Sequence, residues 1–218
     1  MPTVQEFHDT SGGEAVRGFL HMPDTAAPNT LVLTHSAGSN CRAPLLVAVA
    51  EAFAATGLAV LRCDLPFRQA RATGPPLRTA MRDQAGLRAA VETMRRHTHS
   101  NRIFLGGHSY GGRMASMLAA DEAGLVDALL LLSYPLHPPK RPQQMRTHHF
   151  PHLETPALFV SGTHDGFGSI PELASALPLI PARTRLLPVE GAGHELLSKR
   201  NEADLPRAVV EAFLAFIA

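Results

Sequence analysis

The sequence predicts an α/β domain built on a mostly parallel sheet, and three observations lead there. Short apolar runs without alternation recur along the chain. Stretches of helical periodicity fill the gaps between them. Histidine, serine, aspartate and glycine gather where the runs end. Continuous rather than alternating hydrophobicity marks strands buried on both faces, and helices between such strands supply the cover.

The elements follow in order. "AVRGFLHM" (15–22) alternates, with Val16, Gly18, Leu20 and Met22 on one side, as in an antiparallel edge strand with one wet face. "LVL" (31–33), "LAVL" (58–61), "IFL" (103–105), "ALLLL" (128–132), "ALFV" (157–160) and "RLLPV" (185–189) read as the buried strands. Between them, Leu46, Val49, Ala50 and Phe53 fall at i, i+3, i+4, i+7, and Gly57 is placed to end that helix. Leu87, Ala90, Val91 and Met94 repeat the pattern, as do Val210, Phe213, Leu214 and Ile217. A chain of 218 residues, 45% hydrophobic, without repeat, linker or low-complexity tract, is expected to form a single domain over residues 1–218.

Bulk properties exclude several functions. The net charge is +1 and the basic residues are scattered, so no nucleic-acid partner is expected. "HPPKRPQQMR" (137–146) is basic but broken by prolines and reads as a solvated loop. Cys41 and Cys63 lack metal spacing and the density of a disulfide scaffold, as expected of reduced thiols in a cytoplasmic protein. "MPTVQEFHDT" at the start has neither a basic nor an apolar signal region, and "ALLLL" is too short to span a bilayer. A soluble protein without membrane contact or cofactor is the expectation.

In a parallel sheet, ligand chemistry sits beyond the carboxyl ends of the strands. Those ends read "THSAGS" (34–39), "RCDLPFR" (62–68), "GGHSYGG" (106–112), "SYPLHPP" (133–139), "SGTHDGFG" (161–168) and "EGAGHEL" (190–196). Gly107-His108-Ser109-Tyr110-Gly111 fits G-x-S-x-G between a strand and a helical run, "RMASMLAA" (113–120). A serine on so sharp a turn needs glycines two residues either side, or their side chains would collide with strand and helix. Its hydroxyl is a poor nucleophile at neutral pH and requires a general base held by a third group. Asp165 and His194 stand at the last two strand ends, in the order serine, acid, histidine. Glu190 is the alternative acid, although it shares a strand end with His194, whereas the acid is expected from the neighbouring loop. The backbone N–H of Tyr110 and one from "HSAGS" are the candidate oxyanion donors, the second being Ala37 or its neighbour Ser36. His35, Ser36 and Arg68 are further candidates for touching substrate. Arg68 and Arg71 would receive an acidic group there, or else belong to a solvated surface.

These residues resemble the α/β-hydrolase superfamily over nearly the whole chain. "LTHSAGSN", "LRCDLPFRQA", "GGHSYGGRMAS", "SYPLHPPKRP" and "PALFVSGTHDGFG" are similar to a compact dienelactone-hydrolase-like group. That group includes the hydrolase-like domain of an animal testis-expressed protein and a chromatin-complex subunit. The resemblance implies an eight-stranded, mostly parallel sheet with helices on both faces, and ester-type hydrolysis of a small molecule. It does not carry lactone specificity, because dienelactone hydrolases proper use a cysteine where Ser109 stands. Between "ALLLL" and "ALFV" only residues 133–156 are available, room for one short helix and no separate cap, so the cleft is expected to be open. His148, His149 and His152 lie in that segment without an accompanying carboxylate cluster and read as loop residues rather than metal ligands. Two other functions are compatible with the chain: a catalytically silent hydrolase fold used for protein contacts, and acyl transfer to an acceptor other than water.

Overall fold

The computed structural model describes residues 2–24, 28–76 and 80–218. Its strands are β1 (Thr3–Asp9), β2 (Val16–Met22), β3 (Asn29–Thr34), β4 (Ala59–Cys63), β5 (Arg102–His108), β6 (Ala128–Leu132), β7 (Ala157–Gly162) and β8 (Thr184–Val189). They form one sheet in the order β1-β2-β4-β3-β5-β6-β7-β8. From β4 to β8 every neighbouring pair is parallel, while β1 and β2 run antiparallel at one side. The helices are α1 (Pro44–Ala55), α2 (Pro66–Ala70), α3 (Ala80–Thr98), α4 (Tyr110–Asp121), α5 (Ile170–Ala176) and α6 (Leu205–Ile217). No helix among the described residues is long and apolar enough to cross a membrane.

Side chains alternate across each strand, so the unbroken apolar runs supply two cores at once. Val32, Leu105, Leu131 and Phe159 face one side, where α3 and α4 pack through Leu87, Val91, Met94, Met114 and Leu118. Leu31, Leu33, Phe104, Leu130 and Val160 face the other, under α1 and α6 through Leu46, Val49, Phe53 and Phe213. Helix α1 starts on Pro44 and stops at Gly57, whose φ of +96° suits glycine. There Leu58 N–H reaches back to the Phe53 carbonyl (3.3 Å) and Gly57 N–H to that of Ala54 (3.1 Å).

Two strand expectations are corrected. β2 is antiparallel as its pattern indicates, but it is not the edge, because β1 pairs along its whole outer side. β1 reads "TVQEFHD", mostly exposed; it joins through backbone hydrogen bonds and offers little apolar pattern to see. β8, read as buried on both faces, is instead the opposite edge and is half exposed.

Cys41 and Cys63 are both free and buried. Between β6 and β7, the only regular element among the described residues is one 3₁₀ turn, Phe150–His152. That segment is fastened by the cluster of Tyr134, Phe150 and Phe159, with ring centroids 5.4–6.1 Å apart.

Phe213 meets Phe53 and Phe104 edge-on at 5.7 and 5.3 Å, and all three rings are buried. Phe213→Ala should therefore lower unfolding free energy by about 3–5 kcal/mol, read from the shift of the urea midpoint.

Candidate active site

β5 ends at His108 and α4 begins at Tyr110, so Ser109 makes the whole turn alone. Its backbone sits at φ 52°, ψ −113°, a conformation that costs a non-glycine residue roughly 1–3 kcal/mol. Close backbone packing holds it there. A Cβ on Gly107 would lie 2.7 Å from the Gly111 carbonyl carbon, and one on Gly111 would lie 2.6 Å from the His35 oxygen. Both glycines are therefore required by the approach of α4 to β5 and β3, as the motif spacing indicates.

Asp165 and His194 arrive from the loops after β7 and β8. His194 Nδ1 lies 2.9 Å from both carboxylate oxygens of Asp165, and its Nε2 lies 2.7 Å from Ser109 Oγ. A carboxylate only accepts, so Nδ1–H donates to Asp165 and Nε2 accepts from the Ser109 hydroxyl. The Asp165 carboxylate is sealed from solvent and also accepts the Phe167 N–H at 2.8 Å. Phe167 stacks its ring on His194 at 4.0 Å. From the other side His108, buried beside Ser109, donates Nε2–H to the His194 carbonyl at 2.8 Å. Glu190 and His164 are exposed, and the carboxylate that meets His194 is Asp165.

The loop after β3 forms the facing wall. Ser36, Ala37, Gly38 and Ser39 line a cleft of about 770 Å³ together with Ser109, Tyr110 and His194. The expectation that His35 and Arg68 touch substrate is corrected, because both are buried behind this loop. His35 Nδ1–H donates to the Ser36 carbonyl at 2.8 Å, and Nε2 accepts the Leu65 N–H at 3.1 Å. Arg68 spends its guanidinium on four carbonyls, those of Ser39, Ala37, Gly74 and Arg71, at 2.7–3.2 Å. Sequence could not show this, since an arginine in a loop looks the same whether it faces water or its own backbone.

Several residues at the site carry no pattern in the sequence. Asp83 of α3 is buried and accepts the Tyr110 hydroxyl at 2.7 Å and the Phe67 N–H at 3.1 Å. Burial pushes its carboxyl above the ordinary aspartate value. Arg113 also lines the cleft; its signal was available, four residues after Ser109 and so one helical turn on. Arg146, at the end of the stretch expected to be a solvated loop, instead turns half-buried into the same cleft. His149 is buried against Ser116 at 2.8 Å, whereas His148 is exposed.

Two stability effects follow. Replacing Arg68 by Met strips the buried carbonyls of their donor, and should cost about 1–3 kcal/mol with faster amide exchange in residues 36–39. Burial also holds His21 and His149 down at about 4, and lowers His35 and His108 in the same direction. These rings stay neutral when folded but take protons below 6.5 when unfolded. Their contribution to stability is therefore complete above pH 6.5 and lost as pH falls toward 4. Denaturant titrations across that window should show the decline, and His149→Gln should make it shallower.

Comparison with known proteins agrees with this architecture. A dienelactone hydrolase from Anabaena variabilis superposes with a TM-score of 0.77 at 22% identity, over 100% of this chain and 99% of that one. Est1E from Butyrivibrio proteoclasticus gives 0.79 at 18%, covering 97% and 98%. An α/β serine hydrolase without lid from Xanthomonas campestris gives 0.74 at 17%, covering 98% and 94%. At such identities these likenesses establish the fold. The sequence itself matches the family described as alpha/beta hydrolase domain over residues 27–217, and the chain belongs to that family.

Proposed function

We propose that the chain is a serine hydrolase that cleaves a small carboxylic ester or thioester through Ser109, His194 and Asp165. The observation that carries this reading is the continuous hydrogen-bond chain from Ser109 Oγ to His194 Nε2 (2.7 Å) and from Nδ1 to Asp165 (2.9 Å). Ser109 Oγ attacks the substrate carbonyl carbon while His194 Nε2 takes its proton. Asp165 holds the imidazole tautomer and stabilises the imidazolium without itself taking a proton. The tetrahedral oxyanion lies against backbone amides. Tyr110 N–H, at the first position of α4, has no acceptor within the helix. Ala37 N–H is the second donor. The Ser36 carbonyl is occupied by His35 Nδ1–H and Ser39 N–H, and in a trans peptide the Ala37 N–H points the opposite way. His194 then protonates the leaving oxygen or sulfur, and water, deprotonated by the same ring, releases the acid from the acyl-serine.

The segment 133–156 is too short for a separate cap, which favours small or exposed substrates over long buried acyl chains. We read the chain as one domain, and its two free thiols as fitting a reducing, cytoplasmic setting. Its likeness to the hydrolase-like domain of the testis-expressed protein and to the chromatin-complex subunit belongs to this same proposal.

A fluorophosphonate probe should label the wild type at Ser109 and leave Ser109→Ala unlabelled. In that variant, turnover of p-nitrophenyl esters should fall by on the order of 10⁶ with an unshifted urea midpoint. Unchanged ester cleavage in the variant would end the proposal; absence of labelling in the wild type would favour a silent fold.

A further inference from the structure

The lining of the cleft also holds two arginines that the proposed hydrolytic chemistry does not use. Arg113 projects from the first turn of α4, one turn beyond Ser109, and Arg146 comes from the segment between β6 and β7. Both are half-buried. Among the described residues no Asp or Glu forms an ion pair with either one. The Arg113 Nε–H is buried without an acceptor, and Arg146 places one guanidinium donor, at 3.3 Å, on the Pro135 carbonyl. Among the described residues the one acid on the cleft lining, Glu195, is exposed and makes no ion pair with them. Burial, and then the neighbouring Arg113 charge, pull the Arg146 guanidinium below the ordinary arginine value.

Two adjacent, partly desolvated cations without a counter-charge are unfavourable in the empty site, because each repels the other and has lost water. Structural need does not explain them. The segment bearing Arg146 is fastened by its backbone: Arg146 N–H donates to the Leu136 carbonyl (2.8 Å), and its own carbonyl accepts the Tyr134 hydroxyl (2.6 Å). His149 docks the same segment on α4 through Ser116, whose hydroxyl donates to the Arg113 carbonyl at 3.0 Å. Both arginines line the cleft, near enough for the charge of one to act on the other. Planar guanidinium pairs match carboxylate and phosphate oxygens.

We infer that Arg113 and Arg146 form an oxyanion-recognition subsite, so that the substrate is an ester or thioester bearing a carboxylate or phosphate group. The inference rests on the hydrolase reading and names the substrate class of that site. The anionic group repays the desolvation of both cations and holds the scissile carbonyl over Ser109.

The test compares kcat/KM for the p-nitrophenyl hemi-ester of glutaric acid with that for p-nitrophenyl pentanoate, which matches it in chain length but is neutral. The wild type should prefer the anionic ester. The preference should drop by about 10- to 100-fold in Arg146→Gln and in Arg113→Gln. Arg146→Lys, which keeps the charge, should retain part of it, and Arg146→Glu should invert it. Calorimetric titration of Ser109→Ala with monomethyl glutarate and with methyl phosphate reads the subsite without any turnover and tells which oxyanion it takes. Binding lost in Arg146→Gln supports the subsite even if neither ester is cleaved, an outcome that would sink only the hydrolase reading. Cleavage of both esters at equal efficiency, or absence of calorimetric binding for both ligands, overturns the subsite and leaves the hydrolase reading standing.

Discussion

The left-handed backbone of Ser109 is the constraint around which the rest of this molecule is arranged. A residue at φ 52° is held there by its surroundings. Here the surroundings are the packed backbones of β5, β3 and α4, which meet only because Gly107 and Gly111 carry no Cβ. The Ser109 N–H still completes the sheet ladder by donating to the Leu132 carbonyl at 2.8 Å, and its carbonyl already accepts the Arg113 N–H of the helix at 3.0 Å. One residue therefore belongs to both strand and helix, and its hydroxyl is left standing above the sheet edge.

What surrounds that hydroxyl is a layer of buried polar groups whose bonding is directed at backbone. His108 holds the carbonyl of His194, His35 holds that of Ser36, and Arg68 holds the loop from Ala37 to Ser39. Backbone carbonyls of loops cannot satisfy one another as those of a sheet do, so a wall made of loop requires side chains to close its hydrogen bonds. Burial keeps both histidines neutral. A neutral ring offers one donor and one acceptor, and His35 uses one of each. The rigidity of the candidate site rests on residues that never reach the cleft.

The fold is shared with a dienelactone hydrolase and a serine hydrolase. Such likeness leaves the substrate open, because this architecture hosts many chemistries. In this chain the cleft is lined by charged side chains as well as by the candidate catalytic groups. Arg113 and Arg146 stand there as unpaired cations, on a helix turn and on a short connecting segment respectively.

The sequence by itself determined the parallel sheet, the two-sided cores and the positions of Ser109, Asp165 and His194 at strand ends. Apolar runs such as "ALLLL" and "ALFV", and the glycines around Ser109, are local requirements that must be written where they act. Tertiary structure alone decided which strand is the edge and which way Arg68 and Arg146 turn. β1 contributes backbone bonds with little apolar pattern, so only pairing shows that it covers β2. Arg68 lies on the short helix α2 and Arg146 in the segment between β6 and β7, and the sequence around each reads as a loop. One is consumed by carbonyls and the other faces the cleft, because burial is settled by what packs against a side chain from distant parts of the chain.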